Sequence, residues 1–597
     1  MLQPAKTTAV VQLESAGMQK YLRKLKPSNI DDVIAMCALY RPGPLDAGMV
    51  ESYIERKHGR EQVIYDHPNL ESILEPTNGV IVYQEQVMQI SQTMAGYSLG
   101  GADMLRRAMG KKKPEEMAKQ REIFISGATQ KGIDPTVSGG VFDLMEKFAG
   151  YGFNKSHSAA YGVLAYQTAY LKHYYPAEFM AAVLTSDMNN TDNVVFFIND
   201  CRENFNLTVD NPSVNRSEWY FVADTPSNII YGLGAIKGVG EGAVESIVTA
   251  RKQDGDFTDL YDFCRRVDTK KVNKRTLEAL IKAGCFDDFA KTLRPELDET
   301  QYHQIRGALM IQLPSAVKAA EQNRQNSEMG IMDLFGEIDS VTTAPPLPTG
   351  HDIIWADKYR LKAEKDTLGL YLTGHPIDEY RQEIRHYTAN QSLDKLSDTG
   401  YNGTTLFAGL VMDVANFGNR VAITIDDGTS RLEVSCYSER YNRIKNRIKV
   451  DEVLIIKGSI REANERVFAR LEDAYGMIDA RIKWLKKINI KLHGHDTNRL
   501  TKLQTLLKPN QLDNIPKVSI DDVDVDVDDI NIDYLADVKQ HHNTPNDNCI
   551  ALGLYVYDDH ATAGVALNDD WRMYPSDDNL QKLRQIFDTD HIRLEFT

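Results

Sequence analysis

From residue 8 to about 210 the apolar and polar positions follow a helical period. Val141, Leu144, Met145 and Phe148 fall at i, i+3, i+4 and i+7, the spacing of one apolar helix face. Gly150 and Gly152 end that helix, and Ser156 or Ser158 is placed to cap the next, which runs through Tyr161, Leu164 and Leu171. Pro176 stops it and suits the first turn of a following helix, Ala177 to Leu184. From about 216 to 290 short, glycine-punctuated helices are expected, and the Pro- and Thr-rich end of 291–350 reads as linker. Between 404 and 475 the period becomes two. Leu406, Ala408, Leu410 and Met412 alternate with their neighbours, as do Val421, Ile423 and Ile425. Turns at Phe417-Gly418-Asn419 and Asp426-Asp427-Gly428 separate these strands, and Val453 to Ile460 adds another. Short strands around one helical stretch, Ser438 to Ile448, predict a small oligonucleotide-binding (OB) type barrel. Asp577 to Thr597 reads helix then strand.

The fold class is therefore multidomain α+β. A mostly helical first half with a helix-hairpin-helix region precedes an OB β-barrel and a small α/β C-terminal domain. Expected boundaries are 1–215, 216–290, 291–350 (linker), 351–400 (helical connector), 401–478 (barrel) and 479–597. At 597 residues the chain is too long for one core. Its 69 Lys and Arg against 85 Asp and Glu give a net charge of −16, which excludes coating of DNA through bulk charge but not a local basic site. Six scattered cysteines without CxxC spacing exclude a zinc ribbon and a disulfide scaffold, and favour a reducing cytoplasm. No apolar run approaches a membrane span.

Four stretches carry candidate chemistry. Residues 100–121 hold seven cations, among them Arg106, Arg107, Lys111, Lys112 and Lys113, against Asp103, Glu115 and Glu116. Helical spacing puts the arginines in the last turn before Gly110, and Pro114 opens the next helix. Guanidinium forks at such a joint suit paired phosphate oxygens; the same charges also fit simple helix-dipole pairing. In the second stretch, Asn154, Lys155, Ser156 and His157 stand at a helix N-terminus, either as an anion site or as plain caps. The third, Lys237-Gly238-Val239-Gly240 between short helices, matches a helix-hairpin-helix turn that offers N–H groups to a DNA phosphate, or else an ordinary αα-turn. Leu280 to Phe286 is a degenerate second copy. In the fourth, Met332-Asp333-Leu334-Phe335 places apolar side chains in a polar stretch, as a partner-docking anchor or a local tether. The acidic run Asp521 to Asp529 reads as a solvated edge rather than a metal site, because no phosphate-binding residue adjoins it. His541-His542 is isolated among Asn and Asp, so no metal site is expected.

Gln12-Leu13-Glu14-Ser15, Arg41-Pro42-Gly43-Pro44-Leu45, Tyr83-Gln84-Glu85-Gln86, the Gly100-to-Lys113 run, Phe153 to Tyr161, Leu370 to Pro376 and Trp571 to Phe596 together resemble the bacterial replicative C-family polymerases, specifically their alpha subunit from the fingers onward. The resemblance implies that Arg106 and Arg107 meet the phosphates of an incoming deoxynucleoside triphosphate, with Lys111, Lys112, Lys113 and the Asn154–His157 loop nearby. It further implies primer-template DNA at the hairpin, single-stranded DNA on the barrel, and a sliding clamp at Met332 to Phe335, where Ile331 replaces the usual Gln. The clamp-loader tau subunit would meet the C-terminal domain, and the proofreading epsilon subunit a part not represented here. Magnesium would serve the whole enzyme, yet no Pro-Asp-x-Asp-x-Asp motif of a palm occurs in the sequence. No catalytic residue is therefore assigned, and the chain alone is expected to bind DNA and clamp without extending primers. The alternative is a non-catalytic DNA-binding and clamp-tethering scaffold.

Overall fold

A computed structural model describes residues 1–111, 114–149, 152–328, 345–350, 353–389, 391–398, 403–463, 466–493, 496–507, 548–557, 562–565 and 571–596. Met332 to Phe335, Lys112, Lys113, the Asp521–Asp529 run and His541-His542 lie outside these residues. The described chain divides into two compact units, Met1–Leu372 and Thr373–Thr597.

In the first unit, one apolar cluster gathers around helix Ile30–Leu39 and a second around helices Gln84–Ala95, Leu99–Lys111, Pro114–Gln130 and Pro135–Ala149. Val141 and Met145 are fully buried there, as their spacing predicts. Helix Leu99–Lys111 runs through Gly110 rather than ending before it, and Pro114 opens the next helix with Glu115 and Glu116 in its first turn. The cap of helix Lys155–Tyr174 is Asn154, not Ser156 or Ser158; its side chain accepts from the His157 N–H.

That helix corrects a second expectation. Its buried side chains are Ser158, Gly162, Ala165, Ala169 and Lys172, whereas Leu164 and Leu171 are exposed. Small residues face inward because helix Ile30–Leu39 lies so close. A Cβ on Gly162 would stand 3.1 Å from the Ile34 Cα. Lys172 is buried with its Nζ donating to Asp200 and to the Thr8 carbonyl, each at 2.7 Å.

Beyond helix Pro176–Ser186 a third cluster joins the short helices Glu241–Asp254, Leu260–Arg266 and Lys274–Lys282. A small sheet of Thr208–Asp210, Asn228–Ile230 and Val222–Thr225, which the periodicity did not announce, packs into it. The 291–350 stretch is not linker throughout. Helix Arg306–Glu328 buries Ala308, Leu309, Leu313 and Ala316 in this core, because its apolar spacing outweighs the polar composition around it.

In the second unit, strands Gly403–Phe417, Arg420–Asp426, Arg431–Tyr437, Arg466–Gly476 and Val453–Ala463 close into a barrel in that order. Val421, Ile423 and Ile425 fill it as expected. In the first strand the inward set is Phe407 and Val411, one position out of phase with the Leu406-to-Met412 series. Gly409 shares the inward phase and hides the pattern; a Cβ there would meet the Ile425 Cβ at 2.8 Å. Strand Leu485–His493 then runs parallel to Ile550–Tyr557 and antiparallel to Ile592–Phe596. The buried Arg481 guanidinium grips Glu383 through two hydrogen bonds and Asp577 through a third.

Candidate nucleotide and nucleic-acid sites

The first candidate site is assembled by a short segment that sequence reasoning did not single out as functional. Tyr83 pairs with Phe153 in an isolated parallel bridge. From this anchor Gln84 faces both ways: its Oε1 accepts from Arg106 Nη1 at 3.0 Å and its Nε2 donates to the Gly152 carbonyl at 3.0 Å. Glu85 next to it accepts from the Lys155 N–H at 3.0 Å and from the Asn154 amide at 3.1 Å. The Gly100-to-Lys111 run and the Asn154–His157 turn thus lie on one surface, stitched by residues 84 and 85. Arg41 joins from a third element, its guanidinium 3.3 Å from the Phe153 ring centroid. The Phe153 ring in turn meets His157 edge-on at 5.1 Å.

Within this cluster the two arginines differ. Asp103 accepts from Arg106 Nε and Nη2 at 2.9 and 2.8 Å and pairs with Arg107 Nε at 2.9 Å. The hydrogen bonds from Arg106 hold the Asp103 carboxyl below the ordinary carboxylate range. Arg106, with three of its nitrogens engaged, is 28% exposed, whereas Arg107 is 67% exposed. Arg106 therefore ties the helix to Gln84, and Arg107 presents its charge outward. Lys155, Ser156 and His157 are exposed at the start of their helix, but two of its leading N–H groups already serve Asn154 and Glu85. Capping is what the geometry displays there. Lys111 ends the first helix.

The second site is the Gly238 turn. Gly238 has φ +88°, a left-handed value that glycine adopts without steric cost. Val239 is buried while Lys237, Gly238 and Gly240 are exposed, so the turn shows backbone to solvent and anchors itself by one side chain. The Lys237 N–H donates to the Thr367 carbonyl, and Thr276 donates to the Gly238 carbonyl at 3.3 Å. The Thr276 contact seats the start of helix Lys274–Lys282 beside the turn. It places exposed Lys271, Lys274 and Arg275 in the same neighbourhood, cations the sequence argument passed over. The degenerate copy at Leu280 to Phe286 is different: Ala283, Cys285 and Phe286 are buried.

In the second unit the barrel carries an aromatic and cationic strip. Phe417 pairs across with Arg420, and Arg420 with Tyr437, so the three side chains share a face. Arg470 stacks over the Tyr437 ring at 5.1 Å. Phe417 and Tyr437 are more than 60% exposed. Among the described residues no group of three or more His, Cys, Asp or Glu side chains converges to hold a metal ion, and no helix is long and apolar enough to cross a membrane.

Comparison with known proteins agrees with this layout. Residues 1–132 match the bacterial DNA polymerase III alpha subunit finger domain, 206–295 a helix-hairpin-helix motif, and 405–473 an OB-fold nucleic acid binding domain. The chain is 44% identical to DNA polymerase III subunit alpha of Pseudomonas aeruginosa, 42% to that of Vibrio cholerae and 40% to that of Escherichia coli K12. Each match covers 100% of this chain but only 48–49% of the relative, so the chain spans about half the length of the curated relatives it matches. The chain belongs to the bacterial DNA polymerase III alpha-subunit family and carries that family's portion from the fingers onward.

Proposed function

We propose that this chain supplies the nucleotide-phosphate and DNA contacts of template-directed DNA synthesis in chromosome replication. The observation that carries the reading is the surface on which Gln84 and Glu85 join the Arg106–Arg107 helix to the Asn154–His157 turn. Arg107 offers an exposed fork to a deoxynucleoside triphosphate, and guanidinium binds phosphate oxygens in pairs. Arg106 holds the helix at the right height, Arg41 and Lys155 add positive charge, and Glu85 leaves the helix start as the phosphates arrive. Lys111, Lys112 and Lys113 extend the positive field. Lys237 to Gly240, with Lys271, Lys274 and Arg275 beside them, take duplex phosphates, and the Phe417–Arg420–Tyr437–Arg470 strip stacks single-stranded bases.

In the whole enzyme magnesium would neutralise charge during phosphoryl transfer. The described side chains do not gather a carboxylate set for it, so no step is assigned through the metal. Met332 to Phe335 would dock on the sliding clamp, and the last sheet would meet the clamp-loader tau subunit. Epsilon would bind the portion of the relatives that this chain does not match.

The test is triphosphate binding to the isolated chain. Arg107→Ala weakens it at least tenfold, about 1.4 kcal/mol, with the melting temperature unchanged; equal affinity would refute the phosphate role. The scaffold reading is favoured by the hairpin and barrel surfaces, which stand apart from the nucleotide cluster in sequence. It predicts salt-dependent DNA binding with no synthesis when the rest of the polymerase is supplied.

A further inference from the structure

Helix Lys155–Tyr174 is built inside out. Its buried face is Ser158, Gly162, Ala165, Ala169 and Lys172, while Val163, Leu164, Tyr166, Tyr170, Leu171 and Tyr174 are 42% to 60% exposed. The outer rings form a ladder, with Tyr166 to Tyr170 at 6.4 Å and Tyr170 to Tyr174 at 4.5 Å. At 1.5 Å per residue the helix is about 30 Å long. Between Ser156 and Tyr175 the one formally charged residue is Lys172, and it is buried against Asp200. A chain with 26% charged residues therefore exposes a helix face without a single Lys, Arg, Asp or Glu.

We propose that this face is a protein-docking surface, and that its occupant is the part of the polymerase that the half-length match leaves unrepresented. Three observations select that occupant. Contiguous apolar surface of this size on a soluble chain marks a protein or membrane contact. A nucleic-acid backbone is recognised through Lys and Arg, which the face lacks. The relatives carry as much polypeptide again as they share with this chain, and Tyr-rich, charge-poor patches are the composition of interface centres. The inference rests on family membership and not on the phosphate role of Arg107.

The experiment mixes the full chain with a polypeptide comprising the region of the Pseudomonas aeruginosa relative outside the match, and measures association by sedimentation velocity. Wild type forms a one-to-one complex. Val163→Asp and Tyr170→Asp each weaken it at least tenfold, whereas Tyr220→Asp, at an equally exposed tyrosine elsewhere in the same unit, leaves it intact. Circular dichroism and DNA retention are followed in the same samples to show that each variant is folded. Absence of a complex with wild type would overturn the proposal, as would variants that bind as well as wild type. Self-association of the chain alone, abolished by the same two substitutions, would assign the face to a second copy and also overturn it. Loss of DNA retention in wild type would undo the proposed function and leave this result standing.

Discussion

Two glycine turns in the first unit share a backbone conformation and little else. Gly238 and Gly284 have φ of +88° and +83°. Around Gly238 a Cβ would meet nothing nearer than the Ala279 Cβ at 3.8 Å, and the turn is open to solvent. Around Gly284 it would stand 2.3 Å from Arg306 Nη2. That guanidinium is 1% exposed; it forks onto Asp287 at 2.6–3.1 Å and reaches Glu364 at 2.6 Å. Glu364 in turn accepts the Leu372 N–H. A hairpin glycine can thus serve a ligand's approach or a core's closeness, and the sequence alone does not say which.

Breaking the buried node should produce the largest effect. Arg306→Met leaves Asp287 and Glu364 as buried carboxylates without their cation, a loss of about 3–5 kcal/mol in urea unfolding of the first unit. A shift below 1 kcal/mol would mean that the node is dispensable. Gly238→Val comes next. The left-handed conformation costs a β-branched residue about 1–2 kcal/mol, and the side chain stands where a DNA phosphate would approach. Duplex affinity should fall roughly tenfold with a smaller loss of stability than Arg306→Met.

Gly240→Ala sharpens the contrast further. Its φ is −95° and a Cβ there meets nothing within 4 Å, so stability should hold within about 0.5 kcal/mol. Any loss of DNA affinity then reports backbone approach by the ligand. Unchanged affinity would show that Gly240 is only a turn residue.

The smallest effect sets the pH window for these comparisons. Burial pushes the Asp32 carboxyl up, but the Lys57 ammonium and the Ser28 and Asn29 N–H groups outweigh it and hold it below its ordinary value. Since the folded pKa is the lower one, this stabilisation is complete above the unfolded value of roughly 3.9 and drains away as pH falls through the folded value. Asp32→Asn should therefore flatten the acid limb of a pH–stability curve. An unchanged limb would show that the pair contributes nothing.

Much of the local structure was legible in the residues themselves. Val141 and Met145, Pro114 and Pro176 as helix starts, and Val421, Ile423 and Ile425 inside the barrel all lie where period and capping chemistry put them. The misreadings have one cause. Hydrophobic period says which residues share a face but not which way the face points. Leu164 and Leu171 form a helical stripe that faces outward, because Gly162 and its small neighbours let the other face approach Ile34 more closely than large side chains would. Leu406 to Met412 alternate on the outer side of a strand whose inner side contains Gly409.

The candidate site divides in the same way. Arg106, Arg107, Lys155 and His157 stood out as charge and capping chemistry within short runs of sequence. Gln84, Glu85 and Arg41 did not, because one amide, one carboxylate and one guanidinium carry no signal until Tyr83 and Phe153 are paired. Sequence determined the helices, the barrel and the cations, all set by contacts within a few residues. Only the tertiary structure decided that Asp103 ties down Arg106 while leaving Arg107 exposed, and that Gly238 stays open while Gly284 is filled. Those outcomes depend on side chains brought together from distant elements, and on how closely their backbones can approach.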